Sequence, residues 1–127
     1  MMIYKQIFES YINEMSWREL NVVDKYADEK LKPIDVEFTQ HFFDRLNDPR
    51  NGKEITVEEL TNFFTRLSKF KDKFKDVMDR YDDIVLKDKK TNINMALVKR
   101  ANEVIAKTIM RKGNFKTHDH VMKFESN

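Results

Sequence analysis

Leu60, Phe63, Leu67, Phe70, Phe74, Val77 and Tyr81 recur in alternating steps of three and four, and past Tyr81 the apolar period drops to two. The first spacing is one face of an α-helix and the second is the alternation of a strand. A coiled-coil seam would also fit residues 60–81. Four aromatics among seven seam positions are bulky for a two-stranded coil, so packing onto a domain core is the better account. Thr56-Val57-Glu58-Glu59 is a capping box that starts this helix, and the pattern leaves open a break near Ser68.

Upstream, Tyr4, Ile7, Phe8, Tyr11, Ile12 and Met15 form a first helical stripe. Ser16-Trp17-Arg18-Glu19 is a second capping box and predicts a helix burying Leu20, Val23, Ala27 and Leu31, ended by Pro33. Ile34–Phe38 reads as a short extended piece. Thr39 caps about two turns carrying His41, Phe42, Phe43, Arg45 and Leu46, and residues 47–52 carry turn chemistry.

Downstream, Ile84–Lys87, Ile93–Arg100, Glu103–Met110 and Val121–Glu125 read as strands, the middle two forming a hairpin that turns at Ala101-Asn102. With a two-residue turn, Arg100 faces Glu103, Leu97 faces Ala106 and Ile93 faces Met110. One face then carries Ile93, Met95, Leu97, Val104, Ala106 and Met110, with Thr108 and Lys99 as its polar members. The other carries Asn92, Asn94, Val98, Ile105, Lys107, Ile109 and Arg111, and a one-residue slip would exchange the two. The expected fold is α+β: N-terminal helices packed on a small, mainly antiparallel four-stranded sheet, in one domain over residues 15–127.

Charge narrows the function classes. The chain carries 24 Lys and Arg against 22 Asp and Glu, for a net charge of +2. Its halves differ: residues 1–60 sum to −5 and residues 61–127 to +7. A basic C-terminal half offers the local cations that phosphate contact needs, although a solvated Lys-rich surface reads the same way. The absence of Cys excludes disulfides, thiolate zinc sites and a Cys nucleophile. No apolar run reaches the roughly 18 residues of a membrane span. There is no phosphate-cradling Gly loop, Ser nucleophile elbow or paired-carboxylate signature.

Two groups of residues could carry chemistry. His41 and Arg45 share a helix face, followed by Arg50: imidazole for proton transfer, guanidinium for developing phosphoryl charge. The plainer account is a surface His with Arg pairing to Asp44 or Asp48. Lys107, Thr108, Arg111 and Lys112 add cations and a hydroxyl on a strand. His118, Asp119 and His120 could hold a metal, but no second ligand cluster has matching spacing, so neither metal nor cofactor is expected.

Met2-Ile3-Tyr4-Lys5-Gln6-Ile7-Phe8-Glu9-Ser10-Tyr11-Ile12-Asn13-Glu14 resembles the capsid-targeting leaders of internal head proteins in T-even-type tailed phages. The resemblance implies cleavage by a prohead protease after Ile12-Asn13-Glu14, leaving Met15 as the new terminus. Residues 1–14 would then be a leader helix; otherwise they are the first helix of the domain.

Residues 35–124 resemble small proteins of the same phage group through Phe38–Arg45, the helix from Ile55-Thr56, the strands and Val104–Thr108 with Phe115-Lys116-Thr117. The element order is also similar to the RelE, barnase, EndoU and colicin ribonuclease superfamily. That resemblance implies metal-free RNA cleavage with His41 and Arg45 from the helix and Lys107, Thr108 and Arg111 from the sheet. The expected catalytic residues are His41, Arg45, Lys107 and Arg111, with Thr108 weakened by its core-facing register. The implied settings are the phage head interior or the bacterial host cytoplasm. The implied partners are RNA, the prohead protease and capsid interior, or a host protein, without a membrane. The competing expectation is a non-enzymatic head component or an inhibitor that binds a host or phage protein.

Overall fold

The computed structural model describes residues 15–101 and 103–125, so the expected leader at 1–14 lies outside the described residues. Helices α1 (Trp17–Lys30), α2 (Gln40–Leu46), α3 (Val57–Ser68) and α4 (Lys71–Arg80) precede most of the sheet. Strand β1 (Asp35–Phe38) comes between α1 and α2, and a 3-10 turn spans Pro49–Asn51. Strands β2 (Asp83–Asp88), β3 (Ile93–Arg100), β4 (Glu103–Arg111) and β5 (His120–Phe124) follow.

Both capping boxes form. Ser16 Oγ accepts the Glu19 N–H at 3.2 Å, and Thr56 Oγ1 accepts the Glu59 N–H at 3.1 Å. The long apolar stripe divides into two helices. Ser68 Oγ donates to the Thr65 carbonyl at 2.6 Å and Phe70 N–H tightens onto Leu67 at 2.8 Å, which ends α3 one turn before α4 begins. Leu20, Val23 and Ala27 of α1, Phe42 of α2 and Leu60, Phe63, Phe64 and Leu67 of α3 are all buried. Apart from Ala27, each such side chain contributes roughly 1.5–3 kcal/mol.

The sheet has five strands in the order β1-β4-β3-β2-β5, one more than expected, and it is mixed. β1 pairs parallel with β4, and β5 pairs parallel with β2, while β2–β3 and β3–β4 are antiparallel. Period-two reading detects strands but not their partners. The short piece at residues 34–38 thus joins the sheet as an edge rather than standing apart.

The expected hairpin register holds near the turn, where Arg100 faces Glu103 and Leu97 faces Ala106. It fails further on. Ala96 faces Thr108, so Lys107 is an extra residue in β4, and from there Met95 faces Ile109 and Ile93 faces Arg111. A bulge of one residue inverts every later side chain on its strand. Ile109 and Arg111 therefore lie on the helix-covered face, while Thr108 and Met110 lie on the outer face. The expectation placed all four on the opposite sides. Upstream of the bulge, Val104 and Ala106 face the core as expected.

Buried Asp88 on β2 faces the helices, where both its carboxylate oxygens meet the Arg66 guanidinium of α3. Lys90 N–H and Thr91 Oγ1 donate to the same carboxylate at 3.1 and 2.8 Å. This saturates a charge that would otherwise be costly inside the fold.

Candidate nucleic-acid interface

β1 covers β4 only as far as Ala106; beyond it, α2 and the 3-10 turn take over that edge. Thr39, the α2 N-cap, sends its N–H to the Ala106 carbonyl at 3.3 Å, and its hydroxyl lies 3.4 Å from the Lys107 carbonyl. At the other end, Asn51 Oδ1 accepts the Arg111 N–H at 3.0 Å, and Asn51 Nδ2 donates to the carbonyls of Arg45 and Leu46 at 2.9 and 3.3 Å. Thr39 satisfies backbone groups of both α2 and β4, and Asn51 does the same at the far end, so the helix is held alongside residues 106–111.

On α2, His41 is exposed and its Nε2 accepts from Arg45 Nε at 3.5 Å. Arg45 also pairs with Asp48 at 3.3 Å, and Arg50 pairs with the same carboxylate at 2.7 Å. Asp48 therefore holds two guanidiniums in the loop that leads to Asn51. This is the pairing the plainer account anticipated for Arg45.

The two sheet cations differ from each other. Lys107, at the bulge, reaches across the outer face to Asp83 at 2.9 Å, with both side chains nearly half exposed. Such a pair is weak and exchanges readily with another anion. Arg111 points the other way. Its guanidinium meets both oxygens of Glu59 at 2.9 and 2.7 Å and donates to the Glu54 carbonyl at 2.9 Å. The Arg111 hydrogen bonds hold the Glu59 carboxyl below its ordinary range. Glu59 is also the capping-box residue of α3, so Arg111 ties β4 to that helix start. Facing inward, it is bidentately paired to Glu59, and the expectation that it stands beside Lys107 on the outer face is corrected. Only recognition of the bulge could have shown this.

The remainder of the outer face combines apolar and charged groups. Val98, Ile105, Thr108 and Met110 are half-buried there, and Asn94 is buried, its amide donating to the carbonyls of Asn92, Met110 and Lys112 at 3.1, 3.1 and 2.8 Å. The Lys87 ammonium meets the Gly113 carbonyl. One corner is acidic: Asp35 and Glu37 on β1 and Glu103 on β4 are exposed, with carboxylate oxygens within 4.8 Å of one another. Beside them on α1, Asp28 accepts the Val36 N–H at 2.8 Å. Burial, then the charges of Asp28, Asp35 and Glu37, push the Asp24 carboxyl up to about 7. This corner repels phosphate, so any polyanion must lie toward Lys107 and α2. The sequence pattern missed it because its members come from three separate elements.

The chain matches no family model, no curated protein and no solved structure. None of the described helices is long and apolar enough to cross a membrane.

Proposed function

We propose that this chain is a phage-encoded internal head or effector protein whose RelE-like domain binds single-stranded RNA and cleaves it without metal. The observation that carries this reading is the seating of α2 along β4. Through Thr39 and Asn51, the helix that carries His41 and Arg45 runs along the edge of the strand that carries Lys107, although the tied residues Asn51 and Arg111 are sixty positions apart.

The chemistry uses three residues. A phosphate arriving at α2 competes with Asp48 and His41 for the Arg45 guanidinium, which releases His41 Nε2 as a base. The imidazole takes the proton of a ribose 2′-hydroxyl while that oxygen bonds to the adjacent phosphorus. The bond from phosphorus to the 5′-oxygen breaks, and the leaving oxygen takes a proton from the imidazolium. The products are a cyclic phosphate and a 5′-hydroxyl, and no proton or electron is left over. Arg45 and Lys107 stabilise the charge that grows on the phosphoryl oxygens.

The test is incubation of the purified protein with single-stranded RNA in EDTA. Cleavage persists in EDTA and falls about 10²-fold or more in His41→Ala while RNA binding remains. Absence of cleavage, or cleavage indifferent to His41→Ala, defeats the enzymatic reading. The head assignment is tested separately by mass spectrometry of virions, which should show a chain beginning at Met15.

A non-enzymatic binding protein is the second reading, favoured by two observations. Lys107 and Arg111 are both paired to carboxylates, while Trp17 keeps 38% of its surface exposed, stacked on Phe43 at 4.5 Å. RNA affinity without turnover, or a protein partner displaced by Trp17→Ala, selects this reading.

A further inference from the structure

The Lys116–His120 run has no part in the chemistry proposed above. Because β5 begins beside Ile84, the residues leading into it meet those joining α4 to β2. Tyr81, Asp82, Asp83, His118, Asp119 and His120 line an open cleft there of about 550 Å³, with Arg80 at its edge. Within it the rings of Tyr81 and His120 are stacked, their centroids 4.1 Å apart and their planes 7° from parallel. Tyr81 is 41% exposed, making it one of the few large hydrophobic side chains in solvent among the described residues. Lys107 reaches the rim of this cleft through its 2.9 Å contact with Asp83.

We propose that the Tyr81–His120 pair is a stacking platform for one unpaired base of single-stranded RNA. A flat aromatic pair left in solvent offers its outer π-face to any base, and such stacking strengthens binding about tenfold per base with little sequence preference. The cleft's charges orient the nucleotide. Asp82 and Asp119 repel phosphate and accept from the amino and imino groups of a base edge, so the base points inward. The sugar-phosphate backbone runs along Lys107, toward α2. The inference takes its substrate from the RNA reading and adds to it a second contact, at the end of the sheet where β5 begins.

The probe is a short single-stranded RNA carrying one 2-aminopurine, whose emission is quenched when the base stacks. Wild-type protein should quench it on binding. Tyr81→Ala and His120→Ala should lose the quenching and weaken affinity about tenfold, while Tyr81→Phe retains both. Circular dichroism melts establish that each variant is folded. Quenching and affinity unchanged in Tyr81→Ala, or equal affinity for a fully paired duplex, overturn the platform and leave the His41 chemistry standing. Quenching that depends on Tyr81, without any cleavage, supports the platform and defeats the enzymatic reading. A wild-type protein that binds no RNA at low salt overturns both.

Discussion

Asn51 Oδ1 accepts the backbone N–H of Arg111 at 3.0 Å, while its amide nitrogen donates to the carbonyls of Arg45 and Leu46. One small side chain closes both the end of α2 and the uncovered edge of β4. Asn51→Ala leaves a strand N–H and two helix carbonyls without this partner. It should cost about 2–3 kcal/mol, read as a lowered urea midpoint at unchanged slope.

Arg111 should behave as a fold residue. Arg111→Ala removes both guanidinium contacts to Glu59 and should lower stability by about 2–4 kcal/mol. Arg111→Lys should recover little, since a point charge cannot reproduce the paired contact. On the proposed RNA reading, affinity per folded molecule should be unchanged in either variant. A large loss of affinity with unchanged stability would return Arg111 to the binding surface.

The bulge at Lys107 can be tested by the two faces it separates. Met95 is buried against the helices and Thr108 is half-exposed on the outer face. Met95→Asp should cost several kcal/mol, because it buries an unpaired carboxylate, and Thr108→Asp should cost under about 1 kcal/mol. Deleting Lys107 should be better tolerated than Met95→Asp, since without the extra residue β4 alternates regularly from Ala106 to Thr108 and keeps Ile109 and Arg111 inward.

Asp88 has no exposed surface, and Arg66, Lys90 and Thr91 all donate to it. Asp88→Ala strands the Arg66 guanidinium inside the fold. Thermal or chemical unfolding should register a loss of about 3–5 kcal/mol.

Stability should depend on pH in two opposed ways. Between the ordinary Asp24 value of 3.8 and its raised value of about 7, the folded chain holds a proton that the unfolded chain has released. Stability from this group, and from Asp28 shifted in the same direction, therefore declines as pH rises through that window. Glu59 acts oppositely: its carboxylate is favoured in the fold, so its contribution is lost as pH falls below about 4.5. The melting temperature should rise from pH 8 to about pH 4.5, and the Glu59 loss opposes any further rise below it. Asp24→Asn, which keeps the shape and removes the charge facing Asp28, Asp35 and Glu37, should flatten the upper limb. An unchanged upper limb in that variant would assign the effect elsewhere.

The sequence alone determined the elements whose signals are local. Ser16 and Thr56 begin helices because a hydroxyl and a carboxylate three residues later satisfy the first N–H groups, and that geometry needs no other part of the chain. The change of period at Tyr81 announces the sheet for the same reason, and the first pairs beside the hairpin turn follow from its length. Tertiary structure decided which strands neighbour one another, since alternation says that a strand pairs but not with which partner. It also decided the bulge at Lys107, an extra residue that leaves no mark on an apolar pattern in which Ala106, Ile109 and Met110 tolerate either face. Of the four expected site residues, His41 and Arg45 were legible as one helix face because four positions make just over one turn. Whether Lys107 and Arg111 stood with them depended on that bulge and on contacts tens of residues away. Those contacts left Lys107 on the outer face and turned Arg111 inward to Glu59.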